Sequence, residues 1–241
     1  MPHALSAELA PTGTLRAGIN MANFLLVTGR TADGDPQGVA PNMASEIAAR
    51  LGVPVAYVPY ASPGPLADDA TNDVWDIGLI GAEPARAEHI TFTPAYVEIE
   101  ATYLVPAGSP LQTISDVDKK GVRIAVSARS AYDLYLSRHL EHAELVRVEG
   151  LNAALDLFVT EKLDALAGLK PRLLSDVEKV SGSRILDGRF TAVQQAIGIP
   201  RGREAGAAFL RDFVEEAKSS GLVARLIARH SVRGLSVAPP E

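Results

Sequence analysis

Arg86 is the residue whose type and setting best fit binding chemistry. It lies in WDIGLIGAEPARAEHITFTPAY, which runs from Trp75 to Tyr96. The apolar run with Ile77, Leu79 and Ile80, bounded by glycines, is short and β-branched enough to be a fully buried strand. It breaks at Gly81, passes Glu83, Pro84 and Arg86, and turns extended again at His89-Ile90-Thr91-Phe92. A buried strand that ends in a glycine followed by charged residues delivers those charges to the carboxyl edge of a sheet, where ligands of open α/β sheets sit. A guanidinium there can fork onto a carboxylate. Taken alone, Arg86 is better read as a surface arginine in the first turn after Pro84, and it is the neighbouring pattern that favours a ligand contact.

A second chemical position is Arg129-Ser130, where a strand reading VRIAVSA meets a helix with apolar residues at Tyr132, Leu134, Tyr135 and Leu140. A helix N-terminus presents free N–H groups and a partial positive charge, which suit a carboxylate. Ser130 either offers its hydroxyl to a ligand or is only the helix cap. Lys170, which opens KPRLLSDVEKV, is either a ligand cation or a side chain snorkelling from its helix. His139 and His142 lie three apart on one helix face but have no third ligand nearby, so no metal site is expected. No phosphate-binding glycine loop, dinucleotide fingerprint, HExxH or GxSxG occurs. No cofactor is expected.

These groups need elements to hold them. A loose N-terminal start leads to a strand over Thr14–Ile19 that ends at Asn20. Residues 31–38, TADGDPQG, are dense in turn formers and predict a hairpin-like loop. Apolar residues at Met43, Ala44, Ile47, Ala48 and Leu51 predict a helix from Pro41, stopped by Gly52. The strand VPVAYVPY follows, then a short helix or irregular turn over Asp68–Val74. After the central stretch come a strand from Glu98, a short turn of helix at Ile114–Val117, the strand VRIAVSA and its helix, a strand at Glu144–Val148, a helix at Asn152–Thr160, the strand LDALAGL, and the helix PRLLSDVEKV. The last part reads as a returning strand AVQQAIGIP and two packing helices between Glu204 and Ala228, separated near Gly221.

The chain has 241 residues, 47% hydrophobic and 22% charged, enough to bury a full core. A net charge of -6 without a basic block argues against nucleic acid as a partner. With no cysteine there is no disulfide, thiolate nucleophile or cysteine metal site. No stretch is apolar for the roughly 18 residues a membrane helix needs, and no direct membrane insertion is expected. MPHALSAELAPTGTLR lacks both a basic leader and an apolar stretch, so the sequence as written places the chain in the cytoplasm, or in the periplasm if a leader has been removed.

Asp76, Arg86, Phe92 and Tyr96 together resemble the signature of the family 3 extracellular solute-binding proteins, the type II periplasmic binding proteins for polar amino acids. In that family a strand beginning with Asp leads through Thr-x-x-Arg to Phe-x-x-x-Tyr. Here Ala82-Glu83-Pro84-Ala85 stands where a hydroxyl-bearing turn is common, in a loop about two residues shorter. The order strand, G-V-x-x-x-x-A-x-E-I-A-x-x-L-G helix, strand is similar to the family's first βαβ unit. The resemblance implies an α/β fold of two lobes with a hinge of two crossover strands: residues 1–104 and 190–241 in one lobe, 105–189 in the other.

The resemblance also implies site residues. Asn20, Asn23 and Phe24 would line a wall of the cleft, although Phe24 could equally be core. Gly81, Glu83 and Arg86 would form the carboxylate end. Arg129-Ser130-Ala131 occupies the place of a Gly-Ser-Thr turn that binds the ligand carboxylate. Arg129 in place of the glycine either adds a cation or points to solvent. Leu169 stands where amino-acid binders carry an aspartate that grips the ligand ammonium, so an α-amino acid would need Glu83 or another acid, and Lys170 argues for a more anionic ligand. Either Gln194 or Gln195 would border the cleft, because strand side chains alternate. The expected protein is a monomeric solute-binding protein that closes on a small carboxylate-bearing ligand and delivers it to an ABC transporter permease. The alternatives are an enzyme on the same fold, resembling cyclohexadienyl dehydratase with Glu83 as general acid, and a cytoplasmic metabolite sensor.

Overall fold

A computed structural model describes residues 3–241, with side chains from Ala4 onward. Met1 and Pro2, with which the first expected lobe begins, lie outside the described residues. The chain forms two compact units: one of residues up to Glu98 together with Gln194–Glu241, the other Ile99–Val193.

The first unit contains helix α1 (His3–Leu9), strand β1 (Leu15–Asn20), the short pair β2 (Gly29–Arg30) and β3 (Pro36–Gln37), helix α2 (Val39–Leu51), strand β4 (Val55–Tyr60), helix α3 (Pro63–Asp68), and strands β5 (Ile77–Gly81) and β6 (Ile90–Phe92). Strand β7 (Val97–Val105) starts here and continues into the second unit. That unit adds β8 (Arg123–Ser127), α4 (Ala131–His139), β9 (Glu144–Val148), α5 (Leu151–Thr160), β10 (Ala165–Leu169), α6 (Lys170–Asp176) and β11 (Arg184–Ile185). Strand β12 (Thr191–Pro200) brings the chain back, followed by α7 (Glu204–Ser219), α8 (Leu222–Arg229) and β13 (Ser236–Val237).

In the first unit β1 is parallel to β4 on one side and to β5 on the other. The far edge of β5 takes β12 antiparallel, with Gln195 opposite Gly81, and β6 joins β12 beyond it. Every residue of β5 is buried, as the apolar run predicts. Trp75, fully buried, packs with Leu66, Tyr60 and Ile80, and its indole N–H donates to Leu66 O at 3.0 Å. Gly78 lies under that ring: a Cβ there would come within 2.9 Å of Leu66 Cδ2.

The floor of this unit is tied by charge. Asp76, 0% exposed, accepts from Arg16 N at 2.9 Å, from Arg16 Nε at 3.1 Å and Nη2 at 2.8 Å, and from Arg203 Nη1 at 3.4 Å. A buried carboxylate is tolerated only with such partners. Their bond to Asp76 is the main reason the Arg16 guanidinium holds its proton more tightly than a free one.

In the second unit β10 lies between β7, antiparallel, and β8, parallel, with β9 parallel outside β8 and β11 on β7. Its faces are covered by two clusters, one around Tyr103, Tyr132, Leu136 and Leu186, the other around Phe158, Leu163, Leu166 and Leu173.

One expectation about elements is corrected and one is refined. The N-terminal start is helical, not loose: Leu9 is fully buried, Glu8 accepts the Gly206 N–H at 2.6 Å and Arg203 Nη1 donates to Glu8 O at 2.8 Å, so α1 is held by the start of α7. The short helix or irregular turn expected over Asp68–Val74 is a 3-10 turn at Asp69–Thr71, and the helix proper lies before it, from Pro63. Prolines fit the first helical turn because their missing N–H has no partner there. Among the described residues no helix is long and apolar enough to cross a membrane.

Candidate functional site

Seven of the ten expected site residues fall in the first unit, six at or just past the carboxyl ends of β1 and β5 and Gln194 in β12. Because these strands are neighbours in register, Ile19 opposite Leu79, Asn20 and Gly81 share one sheet edge. After Asn20 the chain turns through Met21 to Val27. The Asn20 Oδ1 accepts from Ala22 N at 3.1 Å and the Asn23 Oδ1 from Leu25 N at 3.3 Å. Leu25, Leu26 and Val27 are buried and anchor this turn, while Phe24 stays 39% exposed. Phe24 is therefore not core.

At the end of β5, Ala82 N donates to Gln194 O at 2.7 Å, and the next residues coil so that Arg86 N and Ala87 N both donate to Glu83 O at 3.0 Å. Arg86 opens a single 3-10 turn, Arg86–Glu88, and is only 6% exposed. Its Nη1 donates to Gly81 O at 2.6 Å, which folds the guanidinium back onto the strand end. The guanidinium is thereby held largely out of water at the carboxyl edge of the strand. Glu83 is partly buried in the same loop. Of the two glutamines, Gln195 is 5% exposed and belongs to the interior, whereas Gln194 is partly exposed and its Nε2 donates to Glu98 Oε1 at 2.9 Å.

The second unit holds Arg129, Ser130 and Lys170. Ser130 caps α4, its Oγ accepting from Asp133 N at 3.1 Å. Asp133, 3% exposed, accepts from Arg129 N at 2.7 Å and from Arg147 Nε at 2.9 Å. The helix's own carboxylate thus occupies donors that an incoming carboxylate would need. Arg129 is exposed with φ 59, the left-handed region that favours glycine. Tyr132, 4% exposed, hydrogen-bonds with Ser130 and Ser127, and its hydroxyl pKa is pushed up to about 12, chiefly by burial. Lys170 pairs with Glu100 at 3.0 Å, so its charge is answered within the unit. Asp133, Tyr132 and Arg147 were not expected from the sequence, since their partners come together only through the fold. Among the described residues no group of three or more His, Cys, Asp or Glu is placed to hold a metal, and His139 Nδ1 lies 2.7 Å from Tyr135 O.

The profile of the bacterial extracellular solute-binding proteins, family 3, matches residues 17–232. The chain belongs to that family. None of the curated proteins matches it in sequence. Solved structures similar to this family 3 chain include the ancestral amino acid-binding protein AncCDT-1, a precursor of cyclohexadienyl dehydratase, with a TM-score of 0.73, 20% identity, and coverage of 92% of this chain and 97% of that one. A mutant of ArgBP from T. maritima has a TM-score of 0.75 and 21% identity, covering 95% of this chain and 99% of that one. An amino acid ABC transporter substrate-binding protein from Streptococcus pneumoniae bound to L-arginine has a TM-score of 0.74 and 18% identity, over 98% of this chain and 99% of that one. At these identities the likeness establishes the mixed α/β fold of the type II binding proteins. The family and most of the similar structures are binding proteins rather than enzymes. Within the family signature, Asp76 is the buried partner of Arg16, and Tyr96 is fully buried with its N–H donating to Gln195 O at 2.9 Å.

Proposed function

We propose that this protein binds a small carboxylate-bearing solute, an amino acid or a related organic acid, and serves as the binding component of an ABC transporter. Arg86 carries the proposal: a nearly buried guanidinium, braced on the Gly81 carbonyl, at an edge shared with Asn20 and close in sequence to Glu83. A carboxylate there gains charge-assisted N–H bonds worth roughly 1.5–3 kcal/mol each. Phe24, exposed in the turn after β1, is the apolar surface proposed for the solute's side chain. Family membership and the amino-acid ligands of similar structures support the same class of solute. The Ser130 turn is the weaker contact, because Asp133 already uses the donors around it.

A thermal-shift and calorimetric screen against amino acids, oxo acids and dicarboxylates tests this. A ligand at 100 times its Kd raises stability by about 2.7 kcal/mol. Arg86→Gln should weaken any hit by at least about 100-fold, the equivalent of two lost charged bonds. The ligand-free melting curve shows that the variant is folded. Undiminished binding by folded Arg86→Gln places the carboxylate elsewhere and defeats the proposal.

A further inference from the structure

The second unit contains a cavity of about 170 Å³ lined by Pro106, Phe158, Val159, Lys162, Leu163 and Val180. It lies at the amino end of β10: Leu163 stands just before that strand, and Pro106 follows the end of its antiparallel neighbour β7. Lys170 and, after the parallel strand β8, Ser130 stand at the opposite sheet edge, so the cavity is separate from both.

Its walls are fixed and mostly apolar. Phe158 is 2% and Leu163 1% exposed, and both belong to the core cluster with Leu166 and Leu173. The Val180 carbonyl accepts from Ser183 N at 3.1 Å and from Ser183 Oγ at 2.7 Å. The turn so formed is tight, because Gly182 has φ 73 and a Cβ on it would lie 2.8 Å from the Ala107 Cβ. Val159, 49% exposed, carries the apolar lining out to the surface. A preformed apolar space of about 150 Å³ already accepts a benzene-sized body.

Lys162 is the one charged side chain of the lining. Among the described residues Lys119, Lys170, Lys179 and Lys218 each pair with a carboxylate, and Lys162 does not. Its φ is 50, in the left-handed turn that closes α5 with Leu163 N donating to Phe158 O at 3.0 Å, a place that favours glycine. A lysine there carries backbone strain that glycine would relieve. Its ammonium suits the carboxyl end of α5, and it is also the only charge beside the apolar walls. An apolar space with one unpaired cation matches a ligand with an apolar body and one negative charge. We infer that the second unit carries an accessory site for a small apolar carboxylic acid, aromatic or branched aliphatic, whose body fills the cavity and whose carboxylate meets Lys162. This site stands independently of the solute site proposed above.

The test titrates three probes into protein labelled at its Val and Leu methyls and follows them by NMR: benzoate, its neutral isostere benzamide, and acetate, which lacks the apolar body. Benzoate should shift the Val159, Leu163 and Val180 methyls and saturate with a Kd on the order of 1 mM. Benzamide should bind about 3- to 10-fold more weakly, and acetate should leave these methyls unmoved. Lys162→Met keeps the stem and the backbone strain but not the charge, and should bring benzoate and benzamide to equal affinity. Val180→Trp should fill the cavity and abolish binding of both, with the ligand-free melting curve showing that it is folded. Arg86→Gln should leave the benzoate response unchanged; its loss would move the probe to the solute site and defeat the inference. Shifts confined to other methyls, no saturation by about 20 mM, or a preference for benzoate that is absent from the native protein or survives Lys162→Met overturn it as well.

Discussion

Arg129 sits in a backbone conformation that an L side chain enters at a cost of roughly 1–2 kcal/mol. Glycine would relieve that strain while losing part of the gain to its freer unfolded state. Arg129→Gly is therefore expected to raise unfolding stability by about 0.5–1 kcal/mol, read as a higher urea midpoint at unchanged slope. An equal or lower midpoint would show that the arginine's own interactions outweigh the strain. The oddity of an arginine here was visible in the sequence through the resemblance; its backbone angle was not. Arg86 was legible because a strand's end and a turn sit next to it in sequence. The bond between Gln194 and Glu98 was not, because the two lie 96 residues apart.

At the scale of elements, most strands and helices follow local patterns. The buried run of β5, the apolar stripe of α2 with Gly52 left-handed past its end, and the break at Gly221 between α7 and α8 are all short-range signals. Helix α1 escaped because its seven residues, though mostly good helix formers, are too short to show a period or to hold a helix alone, and it is fixed by Arg203 and Gly206, far along the chain. The end of α8 is fixed in a similar way: His230 lies just past it, with Nε2 2.6 Å from Asn42 Oδ1 in α2 and Nδ1 3.4 Å from Thr28 Oγ1. Burial, with a smaller contribution from Arg229, lowers the pKa of His230 below the usual 6.5, so the folded protein favours the neutral ring. The unfolded chain then binds more protons in the interval beneath 6.5, and stability rises with pH there. The contribution is complete above about pH 6.5 and is lost as pH falls towards the folded value. Urea midpoints measured between pH 5 and 7.5 should fall more steeply on acidification in the native protein than in His230→Gln. Parallel curves would remove His230 from the acid response.

At the scale of the molecule, the second unit is a single unbroken segment, Ile99–Val193, set inside a first unit whose two pieces flank it in sequence. The strand β12 that completes β5 belongs to the later piece, with Gln195 to Gly198 pairing Gly81 to Gly78. Synthesis therefore finishes the inner unit first. Ribosome-arrested chains long enough for Val193 to have cleared the exit tunnel should show protease protection over Ile99–Val193 while the segment before Glu98 is still cut; protection in the reverse order would contradict this. Meanwhile β5, buried along its whole length in the finished protein, waits with one edge unpaired. At 5–20 residues per second, the gap of over a hundred residues between Gly81 and Gln195 lasts roughly 5–20 s. For that interval the nascent chain exposes an uncharged, β-prone ribbon open to any other strand. The discontinuous unit thus makes the emerging polypeptide a natural client for a holding chaperone.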